Sequence, residues 1–233
     1  IEDVTVWFNI VACEDLDGNK YQVVTLGGME IMAENLRSAK YKNNSSIPNV
    51  EDNTEWADLT TGGRCYYDND SATYCMQYGA LYNWQAVNTG NLCPMGWHIP
   101  AEEEWETIFI YLENNHYNYD GSNDTDQDYE TNNKIAKSLC TTDQWYVSDV
   151  VGVPGNTDYP SYRNRSGFSA YGAGMRNPAI GYTTNSTRQA KFWASDEINV
   201  DNAKSVDILF NTESVNIGPA TKVFGVSVRC IKD

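Results

Sequence analysis

Histidine is almost absent from this 233-residue chain, which has two. Basic residues are scarce too: 16 Lys and Arg stand against 32 Asp and Glu, for a formal charge of −16. That deficit excludes a nucleic-acid partner, because a phosphate backbone would be repelled and no counterion release would favour binding. It equally argues against docking on anionic lipid. Long apolar runs are missing. The longest, IFIYL at 108–112, lies in a polar segment and falls far short of the roughly eighteen residues of a membrane span, so no direct membrane insertion is expected. None of the six cysteines forms a CxxC pair, and with so few histidines zinc ligation is not expected. There is no GxSxG nucleophile motif, no internal repeat and no linker that would separate two cores. The opening IEDVTVWF has neither the pattern of a signal peptide nor that of a chain start, so a mature or trimmed product is expected.

The composition that remains is globular, with 41% hydrophobic and 21% charged residues. Tyrosine is used 16 times and tryptophan 7 times, against 6 phenylalanines. With frequent Asn and Gly, that mix suits short strands and long ordered loops. Tyr, Trp and Asn bury a flat face while keeping a polar group available, which is the chemistry of adaptable recognition surfaces. An even cysteine count in an acidic, Asn/Thr/Tyr-rich chain favours disulfides and an extracytoplasmic, cell-surface location.

Residues 1–12 alternate and read as a strand. DLDGNKYQVVTLGG follows as a hairpin, with Asp17-Gly18 at its turn. YGALYNWQAVN, at 78–88, reads as a short helix. After the polar stretch 113–133 comes a short helix in KIAKSL, then a Gly/Pro/Asn-rich stretch at 149–167. The last seventy or so residues alternate strongly, with turns expected at NPAIG, EINVDN and NIGPAT.

The segment CPMGWHIPAEEEW (93–105) concentrates chemistry: His98, three consecutive glutamates and two tryptophans. Pro100 sits near the start of a helix whose apolar face is Trp105, Ile108, Phe109 and Leu112. Glu102, Glu103 and Glu104 occupy its first turn, where carboxylates favour the exposed N–H groups and the positive end of the dipole. They need no catalytic role. Trp97 and Trp105 read as core anchors, and His98 as a polar corner that fixes the turn before the helix. In the acidic loop, Asp124, Asp126 and Asp128 alternate as calcium ligands do, but the glycine and glutamate of an EF-hand do not follow. Calcium at those three positions is the only cofactor the residues suggest. Cys65 and Cys75 flank YYDNDSATY, whose centre is turn-forming, so a disulfide closing a hairpin is expected there.

DLDGNKYQVVTLGG, MAENL, YGALYNW, LCPMGWHIPAEEEW, SGFSA, AGMRN, FWASDE and GVSVRCIKD occur in that order. Together they resemble the Fibrobacter succinogenes major paralogous domain, a family of surface and secreted bacterial proteins, from about Glu14 to Asp233. The chain differs in having Met29 where the family usually has Gln and Ile31 where it usually has Trp. The family looks related to C-type lectin-like folds and to formylglycine-generating enzymes, whose LPTEAEWE parallels IPAEEEWE. The resemblance therefore implies an α+β, C-type lectin-like domain over 14–233. Small twisted antiparallel sheets, one or two main helices and long ordered loops are expected, with the last strand returning beside the first. Residues 1–13 would form a connection to a stalk or pilus subunit. It also implies a long-range Cys93–Cys230 disulfide. That leaves Cys13 and Cys140, which are paired with each other by default.

The formylglycine-generating relatives use two nearby cysteines and a metal, whereas here Cys140 is the nearest cysteine before Cys230. A non-catalytic binding or adhesion domain, of the kind found at a pilus or fibre tip, for a protein or glycan on a host or bacterial surface is expected instead. The alternatives are a structural envelope module and an oxidase. Some family members resemble targets of diversity-generating retroelements, which vary positions in this C-terminal window. On that reading Tyr182, Lys191, Asp196, Ile198, Lys204, Asp207, Phe210, Thr212, Glu213 and Asn216 face a ligand.

Overall fold

A computed structural model describes residues 13–123, 129, 133–180 and 182–233. The strand read at 1–12 and the calcium candidates Asp124, Asp126 and Asp128 lie outside the described residues, as does the side chain of Tyr182.

The first half runs β1 (Cys13–Glu14), β2 (Lys20–Tyr21), β3 (Val23–Leu26), β4 (Met29–Met32), α1 (Asn53–Ala57), β5 (Arg64–Cys65), α2 (Ser71–Tyr78), β6 (Leu81–Tyr82) and α3 (Trp84–Val87). The second half runs β7 (Trp97–His98), α4 (Glu102–Asn114), α5 (Ala136–Leu139), β8 (Met175–Asn177), β9 (Tyr182–Thr184), β10 (Gln189–Glu197), β11 (Asn202–Leu209), β12 (Val215–Thr221) and β13 (Ile231–Lys232). Small antiparallel sheets and one substantial helix make this an α+β fold.

Local chemistry explains the turns. Where a single hairpin was expected, DLDGNKYQVVTLGG and its continuation make two. Gly18 (φ +80) turns β1 into β2, and Gly27 and Gly28 (φ +60 and +83) turn β3 into β4. The Asp15 carboxylate organises the first, accepting from the Asp17 and Asn19 N–H groups and from the Tyr21 hydroxyl at 2.6 Å. In YGALYNWQAVN, Tyr78 ends α2 and Trp84–Val87 is a separate short helix, because Leu81 and Tyr82 between them are taken up as strand β6 against β5. NIGPAT is not a turn but lies within β12. Pro219 is tolerated there because β12 is an edge strand of its sheet and a missing N–H on the outer side breaks no rung.

The two larger sheets have four strands and three. The last strand, β13, lies between β4 and β7 in the order β3-β4-β13-β7. The other sheet, β10-β11-β12, is covered on both faces. Phe192, Ala190, Val206, Ile208, Val215 and Ile217 point into a core shared with Trp105, Ile108, Phe109 and Leu112 of α4. From the opposite face, Trp193, Ala203 and Ala220 enter a second core with Tyr82, Trp84, Trp97, Val226 and Val228. Trp97 and Trp105 are thus both core anchors, one in each core. Cys93 and Cys230 are joined, stapling the segment before β7 to the start of β13.

Candidate ligand-binding surface

Strand side chains alternate between faces, so the register sorts the C-terminal candidates. Lys191, Asp207 and Asn216 share a rung across β10, β11 and β12. Lys191 is buried and ion-paired with Asp207, which also accepts from Gln189 Nε2 at 2.5 Å. Asn216 on the outer strand is exposed. Lys204 lies on the opposite face and donates to Glu102 Oε1 at 2.6 Å. Asp196 Oδ2 accepts the Glu102 backbone N–H at 2.6 Å. Ile198 is exposed in the β10–β11 turn, at the far end of the sheet from Phe210, Thr212 and Glu213 in the β11–β12 connection. Tyr182 opens β9, paired with Asn177. The ten positions therefore do not form one face. Lys191, Asp207, Asp196 and Lys204 are tied into the scaffold.

Around Phe210 the structure assembles a surface that no sequence period announced. Phe210 meets Tyr146 edge-on at 5.4 Å, and the exposed Arg188 guanidinium lies 3.7 Å from the Tyr146 ring centre and 5.5 Å from that of Phe210. Residues 146–159 form a loop fastened along its length. The Tyr146 N–H donates to Thr187 O, Ser148 to Gly155 O, and Gly155 to Phe210 O. Gly155 must be glycine, since a Cβ there would stand 2.2 Å from the Tyr146 carbonyl oxygen. The loop's far end closes on Lys137, whose side chain is buried. Its ammonium donates to the carbonyls of Asn156 and Asp158 at 2.8 Å each and to the Asp158 carboxylate. Burial, partly offset by Asp158, lowers the pKa of that ammonium.

Despite these ties the loop turns its apolar side chains to solvent. Tyr146, Val147 (77% exposed), Val150, Val151 and Tyr159 are five exposed large hydrophobics, against six in the rest of the described chain. A concentration of exposed apolar side chains marks an interaction surface, and the Tyr146–Arg188 stack beside it is built from residue types enriched at binding hot spots. Its sequence signal was four valines in a Gly/Pro loop with neither a strand nor a helix period.

The histidine of CPMGWHIPAEEEW has both ring nitrogens engaged. Nδ1 lies 2.7 Å from Asp233 Oδ1, and Nε2 lies 3.0 Å from Glu104 Oε1. Burial lowers its pKa, but the hydrogen bonds to Asp233 and Glu104 outweigh that and raise it. At the start of α4, Ala101 has no acceptor of its own. Asp196 takes the Glu102 N–H, and Glu104 Oε2 takes the Ala101 N–H at 2.8 Å.

Two expected disulfides are not formed. YYDNDSATY is not a hairpin: Asp70 caps α2 through the Thr73 N–H at 3.0 Å, and the strand containing Cys65 pairs with β6 instead. Cys65 and Cys75 consequently remain free thiols. Cys13 and Cys140 are buried in different cores and are free as well. Burial pushes the Cys13 thiol up to about 12 and that of Cys65 to about 11, so neither is a ready nucleophile. Among the described residues no three His, Cys, Asp or Glu side chains converge as a metal site, and no helix is long and apolar enough to cross a membrane.

The motif segments meet in the core. Arg229 of GVSVRCIKD donates to the Phe168 and Ser169 carbonyls of SGFSA, to Met32 O and to Asn35 Oδ1 of MAENL. Arg176 of AGMRN donates to Val50 O and Glu51 O. No curated protein and no solved structure matches the chain. A family model, that of the Fibrobacter succinogenes major domain, matches residues 24–232. Covering well over half of the sequence, that match makes the chain a member of the Fibrobacter succinogenes major domain family.

Proposed function

We propose that this domain is a non-catalytic binding module of an extracytoplasmic surface protein, and that it contacts a protein partner through loop 146–159, Arg188 and the Phe210 connection. The observation that carries the reading is the exposed Tyr146, Val147, Val150, Val151 and Tyr159 cluster on a loop held by Lys137 and Phe210. Ordering such a loop before binding removes part of the entropy cost of association. The disulfide supports an oxidising, extracytoplasmic location. Engagement of both His98 nitrogens by carboxylates supports a structural rather than a catalytic histidine. Residues 4–10, VTVWFNI, would provide anchorage to a stalk or pilus subunit. If C-terminal positions are diversified, Ile198, Phe210, Thr212 and Asn216 can change at lower cost than Lys191, Asp196, Lys204 and Asp207, which carry scaffold contacts.

The test is a triple variant, Tyr146→Ser, Val147→Asp, Val151→Asp. It is expected to melt within a few degrees of wild type and to lose attachment to cells that wild type binds. Undiminished attachment by the folded variant would overturn the assignment of this surface.

A further inference from the structure

Arg188, in the turn between β9 and β10, is exposed, and its guanidinium carbon lies 3.7 Å from the centre of the Tyr146 ring. At that distance the group lies face to face with the ring, because pointing an N–H at the ring would push the central carbon further out. Stacking therefore occupies one face of the guanidinium and leaves N–H donors along its edges. The backbone around it is fixed. The Arg188 N–H donates to Asn185 O at 3.0 Å, and the Arg188 carbonyl accepts the Phe210 N–H at 2.9 Å. The preceding carbonyl, of Thr187, accepts the Tyr146 N–H at 2.7 Å. One dipeptide thus sets the arginine and both of its aromatic neighbours. Thr187 does so at φ +63, a strained conformation for a β-branched residue. Its N–H donates to Gly172 O at 2.6 Å, and position 172 must be glycine because a Cβ would stand 2.8 Å from Thr187 Cα. Strain held in this way by its surroundings recurs at ligand clamps.

The guanidinium donors of Arg188 have no acceptor among the described residues. Acid is not scarce in a chain with 32 Asp and Glu, and Lys134, Lys137, Lys191, Lys204, Lys222 and Lys232 each hold a carboxylate. Asp207 on β11 is committed to Lys191 and Gln189, and Asp158 in the loop to Lys137 and the Gly152 N–H. Asp149, also in the loop, is exposed and pairs with no cation among the described residues. Water satisfies the Arg188 guanidinium while the surface is free. A partner that covers Tyr146 and Phe210 displaces that water, and a desolvated guanidinium without an acceptor is strongly unfavourable. The partner must therefore bring the acceptor. A carboxylate offers two oxygens that match the guanidinium edge together with the opposite charge, whereas a carbonyl or hydroxyl offers one oxygen and no charge. The net charge of −16 sets a second condition. Long-range repulsion disfavours an acidic cluster, so the carboxylate has to stand alone among apolar residues.

We propose, on the protein-binding reading of this surface, that Arg188 takes a single Asp or Glu side chain of the partner, flanked there by apolar residues. The probes are the peptide acetyl-Val-Phe-Asp-Phe-Val-amide and its counterparts with Asn or Lys at the centre. Each is titrated into isotope-labelled protein while the Arg188 Nε–H and the Tyr146 and Phe210 backbone N–H signals are followed. The Asp peptide is expected to shift these signals saturably. The Asn peptide, equal in shape but uncharged, is expected to bind about tenfold or more weakly, and the Lys peptide more weakly still. In Arg188→Gln the Asp and Asn peptides are expected to bind alike, with the rest of the spectrum unchanged. Should Arg188→Gln lose its folded spectrum, the comparison of the three peptides on wild type carries the test. Equal binding of the Asp and Asn peptides by wild type, a preference for Asp that survives in folded Arg188→Gln, or no saturable shift with the Asp peptide would overturn the proposal. If the Tyr146, Val147 and Val151 variant loses attachment to cells while wild type binds the Asp and Asn peptides equally, the surface stands and only the carboxylate falls. Full attachment by that variant would overturn the surface, and this inference with it.

Discussion

Arg229 places a guanidinium where none of its hydrogen-bond partners is a carboxylate. Four neutral acceptors surround it, and its plane lies over Phe168 at 4.4 Å and Phe192 at 5.3 Å. Burial lowers its pKa to about 9, so it stays charged at neutral pH. Arg229→Met would remove the charge but leave buried carbonyls without donors, at about 1–3 kcal/mol for each group. We expect a loss above about 4 kcal/mol in denaturant unfolding, with no rescue by Arg229→Lys, because an ammonium cannot span the same fork of acceptors. A variant within about 1 kcal/mol of wild type would show that water replaces the guanidinium. At His98 the sign of the pH effect follows from its raised pKa. The folded state holds the proton more tightly than the unfolded one, so the stabilisation is complete below the unfolded value of about 6.5. It is lost as pH rises through the folded value. The stability gap between wild type and His98→Gln, measured by urea unfolding across that range, should therefore be widest in mild acid and shrink toward alkaline pH. A gap that widens with pH would contradict the pairing with Glu104 and Asp233.

At the scale of elements, α4 shows how a helix start is completed from elsewhere in the chain. The three glutamates of its first turn have separate duties. Glu102 holds Lys204, Glu104 closes on the Ala101 N–H and His98, and Glu103 is exposed. The missing N-cap acceptor comes from Asp196 on β10. Loss of a cap costs about 1 kcal/mol, whereas a helix-end charge on an exposed side chain is worth a few tenths. Asp196→Ala and Glu104→Ala should each lower the unfolding free energy by about 1 kcal/mol or more, and Glu103→Gln by much less. Equal costs for Asp196 and Glu103 would mean that the long-range cap does not form in solution. The same contact explains why Asp196 is a poor position for ligand-driven variation.

For the whole molecule, one covalent link joins parts of the chain 137 residues apart. Closing a loop of that size stabilises by about 4–5 kcal/mol in the chain-entropy account. Cys93→Ala with Cys230→Ala should lower stability by up to that amount. Alkylation of unfolded, unreduced protein should label four thiols, at Cys13, Cys65, Cys75 and Cys140. Labelling of two or none would restore one or both of the other pairings. With two cores on either side of one three-stranded sheet, loss of the link should affect both cores together, giving a single unfolding transition at lower temperature.

What could be read from residue order was local. Trp105, Ile108, Phe109 and Leu112 fall on one helix face because spacing along 3.6 residues per turn is a property of neighbours, and the structure buries all four. Asp17-Gly18 marked a turn for the same reason, and the α+β class and the family followed from ordered local motifs. Pairing across distance was not legible. Alternation in β10 and β11 shows that Lys191 and Asp207 differ in face from Phe192 and Val206, but not that both faces of that sheet are covered. Only packing against α4 on one side and against Trp84 and Trp97 on the other makes Lys191 a buried ion-pair partner of Asp207. The cysteines divide in the same way, since a disulfide depends on which thiols the fold brings together, and the helix capped by Asp70 removed the hairpin that would have joined Cys65 to Cys75. The surface around loop 146–159 is further still from any sequence period. Arg188 and Phe210 reach it from separate segments, and only the tertiary contacts of the loop with Lys137, Thr187 and Phe210 bring them together.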